Sequence, residues 1–144
     1  MKWPVLAAGL VATAAALWHL LPDRTPTAAD PDTLALGRQV YANECAACHG
    51  ANLEGQPDWR ERLPNGRLPA PPHDASGHTW HHPDEQLLAI IREGTAAMVG
   101  NGYESDMPGF GDSLTEVEIR AVLDYIKSTW PQREADYQRQ ISGS

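Results

Sequence analysis

The chain has 144 residues, enough for one ordinary domain, with 11 basic against 19 acidic side chains and a formal charge of −8. That balance excludes a nucleic-acid binder, whose phosphate contacts need clustered Lys and Arg. A composition that is 42% apolar and 21% charged excludes a disordered chain. One Phe beside five Trp and four Tyr makes a thin stock of core filler, and such a core calls for something else to pack around.

Lys2 precedes an apolar run over residues 5–21 that only Gly9, Thr13 and His19 interrupt. A positive residue ahead of such a run predicts export of everything behind it. The run is long for a signal-peptide core and short for a spanning helix. Residues 1–21 are therefore a cleaved signal peptide or a retained signal anchor, with small residues for cleavage at Thr27-Ala28-Ala29. Residues 22–31 contain three prolines and read as a linker.

Asp32 then suits the cap of a helix over residues 33–43, with Leu34, Val40 and Tyr41 on its apolar side. This helix runs into Cys45-Ala46-Ala47-Cys48-His49. Residues 50–82 are rich in Pro and Gly and predict an irregular stretch. So long a stretch is reasonable in a small domain only if it wraps a large flat group. A second helix is expected over residues 83–93, opened by Pro83, stopped by Gly94 and made amphipathic by Leu87, Leu88, Ile90 and Ile91.

The third helix is the clearest. Thr115-x-x-Glu118 spells a capping box, with Ser113-x-x-Glu116 in competition. Ile119, Val122, Leu123, Ile126 and Trp130 follow at helical spacing, and Pro131 ends the run. Residues 132–144 are polar and read as a loosely held tail. No repeat and no strand-like alternation occurs, so the fold class is all-α.

The chemistry is concentrated in Cys45 and Cys48, which stand three apart with His49 directly behind them. Two thiols at that spacing can add across the vinyl groups of a haem, and the adjacent His is then held against the iron. A thioredoxin-like dithiol would want a βαβ setting, which is not visible. A zinc site would want a second ligand pair, and His81 and His82 are adjacent rather than three to five apart. A disulfide across two residues would be strained and would leave His49 unexplained. One covalent haem c is the reading that uses all three residues.

Tyr41-Ala42-Asn43-Glu44-Cys45-Ala46-Ala47-Cys48-His49-Gly50, with Met107-Pro108-Gly109-Phe110 and Leu114-Thr115 further on, resembles the class I (mitochondrial cytochrome c-like) bacterial cytochromes c. The resemblance covers residues 32–131 and implies a small cytochrome c fold wrapping one haem, with crossed N- and C-terminal helices. It implies one-electron transfer, and a sixth iron ligand supplied by a Met ahead of the last helix. Met107 matches that position, and Pro108 stiffens its loop. Met98 competes without a following proline, and a core-filling role is the plain alternative for either.

By the same resemblance, a carbonyl of Leu68-Pro69-Ala70-Pro71-Pro72, with Pro71 as the choice, satisfies the second ring nitrogen of His49. Trp59 and Trp80 are candidates for haem-edge or propionate contacts through their indole N–H groups, with core packing as the alternative. His73, His78, His81 and His82 form a local group that the resemblance does not require. Imidazole suits copper or zinc, but no spacing here specifies a metal site.

The expectation is an exported monohaem electron carrier rather than an enzyme, on the periplasmic side of a bacterial inner membrane, with a His49/Met107 iron and no catalytic residues. Its acidity implies redox partners with a basic docking patch. The alternatives are a haem enzyme or gas-sensing module with an open sixth site, and a fixed electron-input subunit of a membrane oxidoreductase complex.

Overall fold

Helix α1 (Pro31–Val40) starts two residues earlier than Asp32 would have it. Asp30 is the cap: its carboxylate accepts the backbone N–H groups of Asp32 and Thr33, each at 3.1 Å. Pro31, with no N–H to satisfy, opens the first turn. The computed structural model describes residues 29–143. The targeting segment expected at residues 1–21, and all but the end of the linker, lie outside the described residues.

Beyond Val40 the backbone widens into a π-turn over Tyr41–Cys45, in which the N–H of Ala46 reaches the carbonyl of Tyr41. It tightens again into α2 (Ala46–His49), which Gly50 ends at φ 82°. Such π-turns gather at functional sites. The stretch up to residue 82 is irregular apart from a 3₁₀ turn at Thr79–His81. Helix α3 (Asp84–Glu93) has Pro83 as its cap residue rather than its first helical one. The short helix α4 (Thr95–Val99) follows at once, a single turn too brief for periodicity to announce.

Helix α5 (Glu116–Ser128) has the expected capping box, Thr115 Oγ1 accepting from the N–H of Glu118 and the Glu118 carboxylate from the N–H of Thr115. Its Ile119, Val122, Leu123 and Ile126, with Trp130 beyond its end, are buried. All of these but Ile119 meet Val40, Tyr41, Leu53 and Leu87 in one core. Helix α1 contributes Gly37 and Val40 as its buried face, with Leu36 against the core, whereas Leu34 is half-buried. α1 lies across α5 so closely that a Cβ on Gly37 would meet the backbone of Ala121.

Residues 132–144 correct the expectation of a loose tail, because Gln132–Ser142 form a further helix, α6. Its buried face is polar, which hides it from a hydropathy reading. Gln138 is fully buried, and its Nε2 donates to Asp84 Oδ1 at 2.5 Å and to the carbonyl of His82 at 3.3 Å. Lys127 Nζ on α5 reaches both carboxylate oxygens of Asp84 at 2.7 Å, and Ser142 Oγ accepts from the N–H of Asp84. One carboxylate thus joins the starts and flanks of three helices. The described residues contain no strand, and among them no helix is long and apolar enough to cross a membrane.

Candidate haem site

The π-turn and α2 place the motif residues differently with respect to solvent. Cys45 is half-buried, Cys48 is exposed, and neither thiol is paired. Burial, reinforced by Glu44 and Cys48, pushes the Cys45 thiol up to about 11. Tyr41, 2% exposed, puts its hydroxyl 2.9 Å from the carbonyl of Gly50 and 3.3 Å from that of His49. It thereby serves carbonyls that the end of α2 leaves open.

His49 is 6% exposed, and its Nδ1–H donates to the carbonyl of Pro71 at 2.8 Å. A carbonyl only accepts, so this bond places the ring proton on Nδ1 and leaves Nε2 with a free lone pair. Burial lowers the pKa of His49, against the opposing pull of the Pro71 bond, and favours the neutral imidazole that a metal requires. Two positions beyond Pro71, the ring of His73 lies against that of His49, centroids 3.9 Å apart and planes 24° from parallel. The resemblance had pointed to Pro71, while the histidine-group reading had left His73 without a role.

Met107 is half-buried in the loop between α4 and α5. The hydroxyl of Thr95 donates to its sulfur at 3.3 Å, and its own N–H donates to Ser105 Oγ at 3.1 Å. The loop is sewn to the open carbonyl end of α3, Phe110 N–H to Ile91 at 2.9 Å and Gly111 N–H to Arg92 at 3.0 Å. Gly109 permits this approach, since a Cβ there would stand 2.7 Å from the backbone of Arg92 and Glu93. Met98, by contrast, is 37% exposed on α4.

Trp80 is packed against the core, with His81 stacked on it at 3.7 Å and Tyr137 of α6 edge-on at 5.7 Å. Its indole N–H is buried and has no protein acceptor. Trp59 sits apart from this cluster, between the His78 ring at 5.2 Å and the Arg60 guanidinium at 3.9 Å. His78 and His82 meet edge to face at 5.4 Å. No group of three or more His, Cys, Asp or Glu among the described residues is arranged to hold a metal ion.

The donor chemistry fits a covalently attached haem. Two unpaired thiols stand beside a neutral imidazole with a free lone pair. A buried indole N–H without an acceptor is costly unless a bound group takes its hydrogen bond, and a haem carboxylate has that chemistry. The sequence did not single out Thr95, whose only local signal is its place after the helix-stopping Gly94.

A comparison with protein families decides the matter: the cytochrome c model matches residues 34–130. The chain belongs to the cytochrome c family. Its cofactor is covalently bound haem c, with Cys45 and Cys48 at the attachment spacing, and the cytochrome is an electron-transfer haem protein. It is 26% identical over 103 residues to the cbb3-type cytochrome c oxidase subunit FixP of Azorhizobium caulinodans, covering 69% of this cytochrome and 31% of the relative. It is 38% identical over 47 residues to the cbb3-type cytochrome c oxidase subunit CcoP of Rubrivivax gelatinosus, 33% of this chain and 16% of that one. A nitrite reductase of Stutzerimonas stutzeri is 26% identical over 132 residues, 88% of this cytochrome and 21% of the relative. The cytochrome therefore spans less than a third of each of these relatives. No solved structure matches it significantly.

Proposed function

We propose that this cytochrome is an exported one-electron carrier in which His49 and Met107 would ligate the iron of a haem held by Cys45 and Cys48. The observation that carries the reading is the His49 Nδ1–H bond to Pro71, because it aims the free lone pair of a buried neutral imidazole away from the protein acceptor. One-electron exchange at iron is the chemistry the haem supplies when bound. The chain's own residues hold and tune it. Pro71 keeps the proton on Nδ1, Thr95 holds the Met107 sulfur, and the Trp80 indole offers its N–H to a carboxylate. No nucleophile or proton relay is required, and the protein acts as a carrier rather than an enzyme.

The formal charge of −8 favours redox partners with a basic docking patch, so association slows as salt rises. The apolar run over residues 5–21 supports a place for the domain on the periplasmic side of a bacterial inner membrane, anchored or released. The test is a reduced-minus-oxidised optical spectrum of the exported protein, repeated with carbon monoxide. A low-spin c-type spectrum that carbon monoxide leaves unchanged is expected. A shift with carbon monoxide means an open or labile sixth position and puts the enzyme or gas-binding reading ahead.

A second reading rests on the likeness to cbb3-type oxidase subunits: the domain is fixed within a larger membrane oxidoreductase as its electron-input unit. Stable copurification of the full chain with membrane partners supports it, and recovery as a free soluble carrier removes it.

A further inference from the structure

The segment Pro71-Pro72-His73 meets His49 twice. The carbonyl of Pro71 takes the ring proton at 2.8 Å. Two residues on, the His73 imidazole lies on the ring face at 3.9 Å, with the planes 24° apart. One hydrogen bond fixes a single atom of an imidazole and leaves the ring free to pivot about it. A flat group against the face removes that pivot.

The plate is itself held on every side. His73 Nδ1 is 2.8 Å from the hydroxyl of Thr79, a buried residue of the 3₁₀ turn. Its backbone N–H donates to the carbonyl of Leu53 at 2.8 Å, and its carbonyl accepts from the Trp130 indole at 2.7 Å. Tyr41 stands edge-on behind it with centroids 6.3 Å apart. Two prolines ahead of it restrict the backbone that carries it. Thr79 and Tyr41 hold the ring while Leu53 and Trp130 hold its backbone, and a leucine would fill the same gap but keep only the backbone bonds.

We propose that His73 is a positioning residue for the proximal ligand: with the Pro71 carbonyl, its stacked ring sets the rotational orientation of the His49 imidazole. This rests on the reading of His49 as the iron ligand. The orientation of a ligating imidazole governs how it shares electron density with a metal, so the plate would act on bound iron through His49.

The test uses the full-length ferric holoprotein and variants His73→Leu, His73→Phe and Thr79→Val. Proton NMR of the haem methyl groups is the readout, because their order and spread report the orientation of the iron's ligands rather than stability, and Met107 is left unchanged in every variant. Expected is a rearranged methyl order in His73→Leu, a near-native order in His73→Phe, which keeps a flat ring, and a smaller displacement in Thr79→Val. A native order in all three variants overturns the positioning role and leaves the His49 ligand reading intact. If His73→Leu does not take up haem, native order or displacement in Thr79→Val decides the same point. A wild-type spectrum without low-spin histidine ligation overturns both the ligand reading and the proposal.

Discussion

A Cβ at Gly37 would stand 2.0 Å from the carbonyl oxygen of Ala121 and 2.8 Å from the Cβ of Tyr125. The helices α1 and α5 therefore touch backbone to backbone, and the Arg38 guanidinium reaches the Tyr125 ring at 5.9 Å beside the contact. Because α1 leads directly into the π-turn and the cysteines, this crossing fixes where the haem-attachment residues begin.

Gly37→Ala forces the two backbones apart and is expected to destabilise the holoprotein by about 1–3 kcal/mol, the usual cost of overpacking. Denaturant unfolding monitored by Trp fluorescence measures it. A variant as stable as the wild type would mean that the helices separate freely and that the crossing is not a constraint.

Met107 leads to a second expectation. The Thr95 hydroxyl withdraws electron density from its sulfur, which under the proposed ligation would favour the ferrous state. Thr95→Val should lower the reduction potential by about 20–40 mV, the one-electron equivalent of a 0.5–1 kcal/mol hydrogen bond. Spectroelectrochemical titration reads this directly. An unchanged potential would mean that the Thr95 bond does not act on the proposed ligation by Met107.

The start of α3 offers a stability test away from the haem. Gln138 joins Asp84 to α6 while Lys127 holds the same carboxylate from α5. Gln138→Ala leaves Asp84 and the His82 carbonyl short of a buried donor and should cost about 2 kcal/mol. Faster amide hydrogen exchange across residues 132–142, with α1 and α5 unaffected, is the accompanying signature.

Much of this was legible in advance. The C-x-x-C-H motif depends on residue identity and spacing alone, and the capping box at Thr115 announces α5 with its whole core face. Helix α6 was not legible, since Gln138 and Glu134 are its buried residues and hydropathy scores both as exposed. The π-turn escaped because its sequence is ordinary helix former and only the bonding of Ala46 to Tyr41 distinguishes it. His73 escaped for a different reason: its partner is a ring 24 positions earlier, beyond the reach of any local pattern.

Acidity should weaken the fold through the His78 region. Burial first, then the charges of His82, His81 and Arg60, lower the pKa of His78 below its ordinary 6.5. Between the lowered value and 6.5 the unfolded chain binds more protons than the folded one, so stability rises with pH across that window and falls on acidification through it. His78→Gln should flatten the slope of holoprotein stability across that window. An unchanged slope would assign the acid sensitivity to other groups.

Helix α6 lies outside the residues shared with the family model, and it covers Trp80 with Tyr137 while Arg133 approaches the indole at 6.0 Å. Its consequence is orientational. An edge-on ring against Trp80 favours one orientation of the indole, so a helix beyond the family's shared residues helps set the direction in which the unpaired N–H of Trp80 points.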